Sequence, residues 1–211
     1  MRFRTYTTEG VVIRHQDLGE ADRIVTIFTQ DLGKVRAVAK GVRRPKSRVA
    51  GHLELLYEVV ISAAYGRSLD VITEAQTRQM HGGLSRDLER LSQAVYMCEL
   101  LDSFSAERSP NYPLYRLATS ALGWLESTAD PWLLVRYFET QLLDLSGFKP
   151  ELRRCVECRT ELAPGDHVFD IGSGGVLCPE CRSAGADLVL PLKFNSMKVF
   201  RLLQRERDFT R

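Results

Sequence analysis

The sequence predicts a multidomain α+β protein: an N-terminal five-stranded OB-type β-barrel, a central helical bundle, and a C-terminal four-cysteine zinc ribbon inserted before a last helix. Three observations predict it. Short β-branched runs with turn residues between them fill residues 8–80, helical hydrophobic repeats follow, and two Cys-x-x-Cys pairs come after those repeats. The expected limits are 1–80 for the barrel, 84–149 for the bundle, 150–186 for the zinc element and 187–211 for a helix packing on the bundle.

The barrel prediction depends on five short strands with no helix-length segment between them. A turn at Gln30–Gly33 separates the second strand from the third, and Gly33 is expected to adopt a positive φ there. This number of strands fits a small closed barrel of OB or SH3-like type better than an open α/β sheet. The five strands are expected at residues 10–13, 23–29, 34–40, 53–63 and 69–76.

Helical periodicity begins after Gly82-Gly83. Apolar residues recur every three or four positions in three segments, 85–104, 112–126 and 130–147, and Asp130 followed by Pro131 is a typical helix start. Asn195 is expected to cap a further helix that runs towards Arg211. Cys98 falls on the apolar face of the first segment, which favours a packed thiol. That face is expected to contain Leu88, Leu91, Val95, Cys98 and Leu101.

Four cysteines have the spacing of a metal site. Cys155 and Cys158 form one Cys-x-x-Cys pair, and Cys178 and Cys181 form a second after 19 intervening residues. Two such pairs can close a tetrahedron of thiolates around Zn²⁺, and the Gly-rich segment between them predicts a hairpin that brings them together. A closed four-thiolate site is structural, because no position is left for a reactive water.

Other interpretations of the cysteines remain open. Four cysteines can also hold an iron–sulfur cluster, and spacing alone does not separate the two metals. A redox Cys-x-x-Cys would need a thioredoxin-like βαβ context, which the sequence does not predict. His167 lies between the two pairs, but with four cysteines present it is better explained as a surface residue.

The charge of the chain is strongly uneven. The net charge is only +2, yet residues 1–50 carry 11 Lys and Arg against 5 Asp and Glu, and residues 51–211 carry 18 against 22. The N-terminal part is therefore +6 and the remainder −4. This asymmetry indicates an acidic partner for the N-terminal part, nucleic acid first, with a membrane surface or an acidic protein as weaker alternatives.

Positive charges concentrate on the third strand and the loop after it. Lys34, Arg36 and Lys40 share one face by the two-residue period of a strand, while Val35 and Ala37 point the other way. Such a patch can neutralise phosphates, although a charged strand edge that resists aggregation is a structural alternative. We call these residues the basic segment: Lys34, Arg36, Lys40, Arg43, Arg44, Lys46 and Arg48. Candidate aromatic residues for base stacking are Phe28, Tyr57 and Tyr65, of which Phe28 is better explained as core.

Several function classes are not supported by the sequence. No apolar run approaches the ~18 residues of a membrane span, and the first residues lack the apolar region of a secretory signal, so a cytoplasmic protein is expected. No P-loop, GxSxG, HExxH or dense acidic motif is present, and the four histidines are scattered. Binding without catalysis is therefore favoured over an enzyme.

The order of these motifs resembles the bacterial RecO family of recombination mediators, which act in DNA repair. The matching residues span nearly the whole chain. They include Gly10–Ile13, Leu18–Thr29, Gly33-Lys34, Ala39–Ser47, Phe138-Glu139, Leu142-Leu143, Gly147–Pro150 and the two cysteine pairs. The resemblance differs at Arg159, because a glycine commonly follows the first pair in the family, and a less relaxed turn is expected here. Family members also usually continue for some 30 residues beyond this chain.

The resemblance implies an OB-fold that binds single- and double-stranded DNA and aids strand annealing. It implies RecR and single-stranded DNA-binding protein as partners in loading recombinase, near the nucleoid. The basic segment would inherit the DNA-binding role, and Cys155, Cys158, Cys178 and Cys181 the structural zinc. Two alternatives from other classes stay open: an RNA-binding or ribosome-associated OB-fold and zinc-ribbon protein, and a thiol oxidoreductase.

Overall fold

A computed structural model describes residues 4–182 and 188–209, and the chain divides into two compact units, residues 1–138 and 139–211. Residues 1–3, 183–187 and 210–211 lie outside the described residues, and they include the predicted end of the zinc element and the end of the last helix. The predicted domain limits stay predictions. No helix in the described part of the chain is long and apolar enough to cross a bilayer.

The first unit begins with a closed five-stranded barrel. The strands are β1 (Thr5–Leu18), β2 (Asp22–Thr29), β3 (Gly33–Ala39), β4 (Glu58–Ala64) and β5 (Asp70–Gln79). Their order around the barrel is β1-β2-β3-β5-β4, with β4 pairing back onto β1. Every pair is antiparallel except β3 with β5. The predicted five-stranded barrel is confirmed.

The inner face of β3 follows the predicted alternation. Val35, Ala37 and Ala39 are fully buried, whereas Lys34 and Arg36 on the other face are partly exposed. Phe28 is also fully buried, as its interpretation as a core residue requires. Gly33 adopts a φ of 68°, which confirms the predicted turn conformation between β2 and β3.

The starts of two barrel strands lie five residues from the predicted positions. β1 begins at Thr5 rather than Gly10, because a polar threonine-rich start pairs with β4 and carries no apolar signal. β4 begins at Glu58 rather than Leu53. Leu53 and Leu56 are buried, but Leu56 has a φ of 70° and its amide donates to the carbonyl of Val12, so this apolar stretch packs as a loop.

Helices follow the barrel: α1 (Leu88–Phe104), α2 (Tyr112–Leu125) and α3 (Pro131–Leu145). Side-chain carboxylate or amide oxygens of Asp87, Asn111 and Asp130 cap their first turns, and the Asp130 cap was predicted. Cys98 is buried, and burial followed by the charge of Glu99 raises the pKa of its thiol to about 12. The prediction of a packed thiol is confirmed.

The buried face of α1 is rotated from the predicted one. Leu88 is 81% exposed at the first helical position, and Leu91 and Val95 are only partly buried. Apolar residues occur around much of this helix, so periodicity alone could not identify the inner face. The buried residues of α1 are Gln93, Ala94, Met97, Cys98 and Leu101.

The second unit contains a three-stranded antiparallel sheet and the last helix. The sheet has the order β7-β6-β8, from β6 (His167–Asp170), β7 (Gly175–Leu177) and β8 (Val189–Leu192), and α4 spans Phe194–Arg205. The β6–β7 hairpin was predicted and β8 was not. The prediction that Asn195 caps α4 is wrong: Asp166, from the loop before β6, accepts a hydrogen bond from the amide of Phe194 (2.9 Å).

Candidate metal centre and nucleic-acid interface

Cys155, Cys158, Cys178 and Cys181 meet in one cluster. Their sulfur atoms all lie within 4.8 Å of one another, and the Sγ atoms of Cys158 and Cys178 are 3.8 Å apart. Four sulfurs placed tetrahedrally at about 2.3 Å from a zinc ion would be about 3.8 Å apart. The donor set and its spacing therefore fit a metal ion.

Backbone hydrogen bonds hold the two cysteine pairs together. The amide of Cys178 donates to the sulfur of Cys155 (3.4 Å), and the amide of Val156 donates to the carbonyl of Val176 in β7 (3.0 Å). Within the first pair, the amide of Arg159 donates to the carbonyl of Cys155 (3.0 Å). These hydrogen bonds, two of which reach residues of the hairpin, align the turns of the two cysteine pairs independently of a metal ion.

The environment of the cluster favours thiolate at two of its sulfurs. Burial opposes ionisation of Cys155, but amide groups that donate to its sulfur outweigh burial and lower its pKa to about 6. Hydrogen bonds from Thr160 lower the pKa of Cys158. Cys181 has the opposite shift, with its pKa raised to about 12 by its contact with Cys178 and by burial. Thiolates are the metal-binding form of cysteine.

Arg159 adopts a left-handed conformation directly after the first cysteine pair. Its φ is 63°, and this region favours glycine because glycine has no Cβ. The expectation of a less relaxed turn at this residue is confirmed.

His167 is not part of the cysteine cluster. Its Nε2 forms a hydrogen bond with the carbonyl oxygen of Ala163 (2.8 Å), at the start of β6. Cys155, Cys158, Cys178 and Cys181 are the cluster that the described residues offer to a metal ion.

The loop that carries most of the basic segment is anchored at its beginning. The amide of Gly41 donates to the Asp22 carboxylate (2.7 Å), the amide of Arg43 donates to the carbonyl of Ala21 (3.0 Å), and Val42 is buried in the barrel core. These bonds join the loop to the turn between β1 and β2. Its backbone is therefore held while the following side chains face solvent.

Four cations of the basic segment are exposed and form no ion pair within residues 4–182 and 188–209: Lys40, Arg44, Lys46 and Arg48. Arg43 is also exposed, but its guanidinium donates to the carbonyl of Gly19 (3.3 Å) and pairs with Asp17 (3.4 Å). The loop thus presents positive charge that is not neutralised locally.

Lys34 and Arg36 differ from the rest of the basic segment because acidic residues pair with them. Lys34 Nζ lies 3.0 Å from the Asp102 carboxylate and 2.5 Å from its carbonyl oxygen, and the Lys34 side chain is 12% exposed. Arg36 is 3.5 Å from Glu107. These contacts attach the outer face of β3 to the end of α1, so the seven residues do not form one continuous free surface.

Asp102 is shared between two cations. Arg14 Nη1 lies 3.0 Å from the second carboxylate oxygen of Asp102. Burial would raise the pKa of Asp102, but the bonds from Lys34 and Arg14 outweigh burial and lower it. A polar cleft of about 370 Å³ opens here, lined in part by Arg14, Lys34, Arg36 and Asp102.

Sequence reasoning missed Arg14, Asp102 and Glu107. Asp102 is 68 residues from Lys34 along the chain, and no local pattern links them. Of the predicted aromatic residues, Tyr65 is 46% exposed, and its ring packs 4.8 Å from that of Tyr6, with Arg108 above both rings. Tyr57 is partly buried.

His81 joins the barrel to α2 through two carboxylates. Its Nε2 is 2.9 Å from Glu58 of β4, and its Nδ1 is 3.2 Å from Glu126 at the end of α2. Burial would lower the pKa of His81, but the two carboxylates outweigh burial and raise it. The side chain is 2% exposed, so this is an internal contact and not a surface site.

Comparison with known families assigns both parts of the chain. Residues 1–81 match the family described as recombination protein O N terminal, and residues 85–211 match recombination protein O C terminal. The two matches together cover nearly the whole sequence.

Curated relatives agree with the family matches. A protein named DNA repair protein RecO from Dehalococcoides mccartyi is 39% identical over 199 residues, which is 94% of this chain and 78% of the relative. The protein of the same name from Roseiflexus is 39% identical, covering 98% of this chain and 72% of the relative. That of Symbiobacterium thermophilum is 40% identical, covering 85% and 72%.

Proposed function

Because this chain belongs to the recombination protein O family, a family of DNA repair proteins, we propose that it is a non-catalytic DNA-binding mediator of recombinational repair. In this role it binds single- and double-stranded DNA, promotes annealing of complementary strands and helps to load recombinase. RecR and single-stranded DNA-binding protein are its proposed partners, in the cytoplasm and in association with the nucleoid.

The observation that carries this proposal is the anchored basic loop beside the barrel. Lys40, Arg44, Lys46 and Arg48 are exposed on a loop whose start is tied to the barrel through Asp22. Cations held in this way can release counterions from a phosphate backbone without first breaking an ion pair. We propose that these four residues and Arg43 contact DNA directly, and that Lys34 and Arg36 contribute where they exchange an acidic partner for a phosphate.

The decisive experiment compares two double variants in oligonucleotide binding. Arg44→Ala with Lys46→Ala removes two unpaired loop charges, while Arg86→Ala with Arg116→Ala removes two exposed charges outside the loop. For single-stranded DNA, log affinity falls with log salt, and each phosphate contact contributes about 0.7 to the steepness of that fall. We therefore expect the loop variant, which loses two contacts, to have a salt dependence that is less steep by about 1.4.

The control variant should leave the slope of the wild-type protein unchanged. Equal slopes for the loop variant and the wild type would show that the loop does not contact DNA. A clear preference for RNA over DNA of equal length, measured by competition, would favour the alternative of an RNA-binding protein. Annealing of complementary strands coated with single-stranded DNA-binding protein, with and without this chain, tests the mediator role.

We propose structural Zn²⁺ as the metal of the cysteine cluster. Bound zinc would cross-link the two cysteine pairs and supply no catalysis, because four thiolates occupy its coordination sphere. Metal analysis of protein purified without chelator should find one equivalent of zinc. Iron with visible absorption would instead indicate an iron–sulfur cluster, and the absence of both metals would contradict the proposal.

A further inference from the structure

A basic cleft lies within the second unit, between α4 and the segment around the first cysteine pair. Its volume is about 490 Å³, and four cations and one acid line it together with two leucines. The lining residues are Arg153, Glu161, Leu162, Lys198, Arg201, Leu202 and Arg205. The acidic net charge of residues 51–211 gives no sign of this local positive region.

One wall of the cleft is a single face of α4. Lys198, Arg201 and Arg205 are separated by three and four residues, which places them in a row along the helix. Arg201 fixes this wall, because its Nε and Nη2 atoms both donate to the carbonyl of Leu152 (3.0 and 2.5 Å). The Lys198 ammonium lies 4.1 Å from the centre of the Phe194 ring, which holds the base of the row.

The opposite wall carries Arg153 and Glu161. The amide of Leu162 donates to the carbonyl of Arg153 (3.0 Å), so these residues belong to two paired chain segments beside the first cysteine pair. Arg153 and Lys198 are exposed, and neither forms an ion pair among residues 4–182 and 188–209; Arg205 pairs only with its neighbour Glu206. Within those residues, no acidic side chain pairs with Arg153 or Lys198 across the cleft, so their positive charge is not neutralised there.

We propose that this cleft binds phosphate groups of a nucleic-acid backbone, as a second contact separate from the basic loop of the barrel. Arginine guanidinium groups suit phosphate oxygens, which they can bind through two parallel hydrogen bonds. Four of the seven lining residues are cations, which favours a phosphate backbone over an amphipathic peptide. The choice of ligand rests on the proposed DNA-binding function.

Arg153→Ala with Lys198→Ala tests the cleft. Both side chains are exposed and form no ion pair among the described residues, and Arg201, which holds the backbone, stays in place, so the variant should fold. Binding of a labelled single-stranded oligonucleotide should show a salt slope lower by about 1.4, with Arg86→Ala and Arg116→Ala as the charge-matched control. DNA should also protect Lys198 of the wild-type protein from acetylation more than it protects Lys149.

The outcomes separate this inference from the proposed function. An unchanged slope for the cleft variant, while the loop variant loses slope, overturns the cleft and leaves the loop interface intact. A lower slope for the cleft variant, with an unchanged slope for the loop variant, supports the cleft and contradicts the loop interface. Loss of poly-glutamate binding without any change in DNA binding would identify the cleft as a site for acidic polypeptide and also overturn the inference.

Discussion

At the Gly33 turn, the segment between α1 and α2 lies directly against the barrel. A Cβ added at this glycine would lie 2.1 Å from the carbonyl oxygen of Ser109 and 2.5 Å from its carbonyl carbon. The amide of Arg108 donates to the carbonyl of Lys34 (3.0 Å), so this segment runs directly along the start of β3. Gly33→Ala should therefore separate two parts of the first unit that now touch.

Two costs add in this variant. Alanine at a φ of 68° costs about 1 kcal/mol relative to glycine, and part of this is offset by the smaller entropy of the unfolded chain. Both conflicting atoms belong to the backbone and cannot rotate away, so the overpacking adds about 1–3 kcal/mol. We expect a total loss of about 2–4 kcal/mol in the free energy of unfolding.

Gly19→Ala is the matched control for this prediction. Gly19 has a similar φ of 59°, but nothing lies within 4 Å of the position of its Cβ, so it measures the conformational cost alone. Denaturant unfolding of both variants gives the difference, and faster hydrogen exchange at the Arg108 amide should accompany Gly33→Ala alone. If Gly33→Ala destabilises no more than Gly19→Ala, the close approach of Ser109 is refuted.

Three further predictions concern other residues. Arg159→Gly should raise the free energy of unfolding by about 1 kcal/mol, because glycine adopts a φ of 63° without strain; chemical denaturation of the metal-bound protein measures it, and a destabilised variant would contradict it. His81 has a folded-state pKa above its ordinary 6.5, so its stabilising charge is fully present below pH 6.5 and is lost as pH rises through the raised pKa. Thermal unfolding at a series of pH values should show this decline in stability. His81→Asn should flatten the pH profile, since asparagine tolerates the φ of 49°. Equal pH profiles for both proteins would exclude His81 as the cause. Finally, a thiol reagent should label the exposed Cys158 after chelation but reach Cys98 only on unfolding, because Cys98 is buried and its pKa is about 12; mass spectrometry of the native protein that finds Cys98 labelled would contradict this.

The barrel and the cysteine cluster were predictable because local signals specify them. The alternation of Val35, Ala37 and Ala39 with charged residues reports the two faces of β3 directly. The spacing of the cysteines and the Gly-rich turn between the pairs were enough to predict that the four sulfurs meet. In both cases the information lies within a few residues or in a motif of fixed spacing.

Contacts between distant segments were not predictable in this way. Asp102 and Glu107 neutralise Lys34 and Arg36, but they come from the end of α1 and the following loop. Similarly, Asp166 replaces Asn195 as the cap of α4 because folding places a distant carboxylate at the first amide of the helix. A sequence pattern reports which face of a strand is charged, but it does not report which acid from elsewhere will cover that charge.

The anchored loop divides into two parts with different tolerance to mutation. Changes at Gly41 or Val42 would disturb a backbone bond to Asp22 or a buried side chain, so selection should keep these residues almost fixed. From Arg44 to Arg48 the charged side chains have no structural partner among the described residues, and their number and order can change at little cost to folding. Evolution can therefore adjust how tightly this loop holds its ligand, one charge at a time, while the barrel beneath it stays the same.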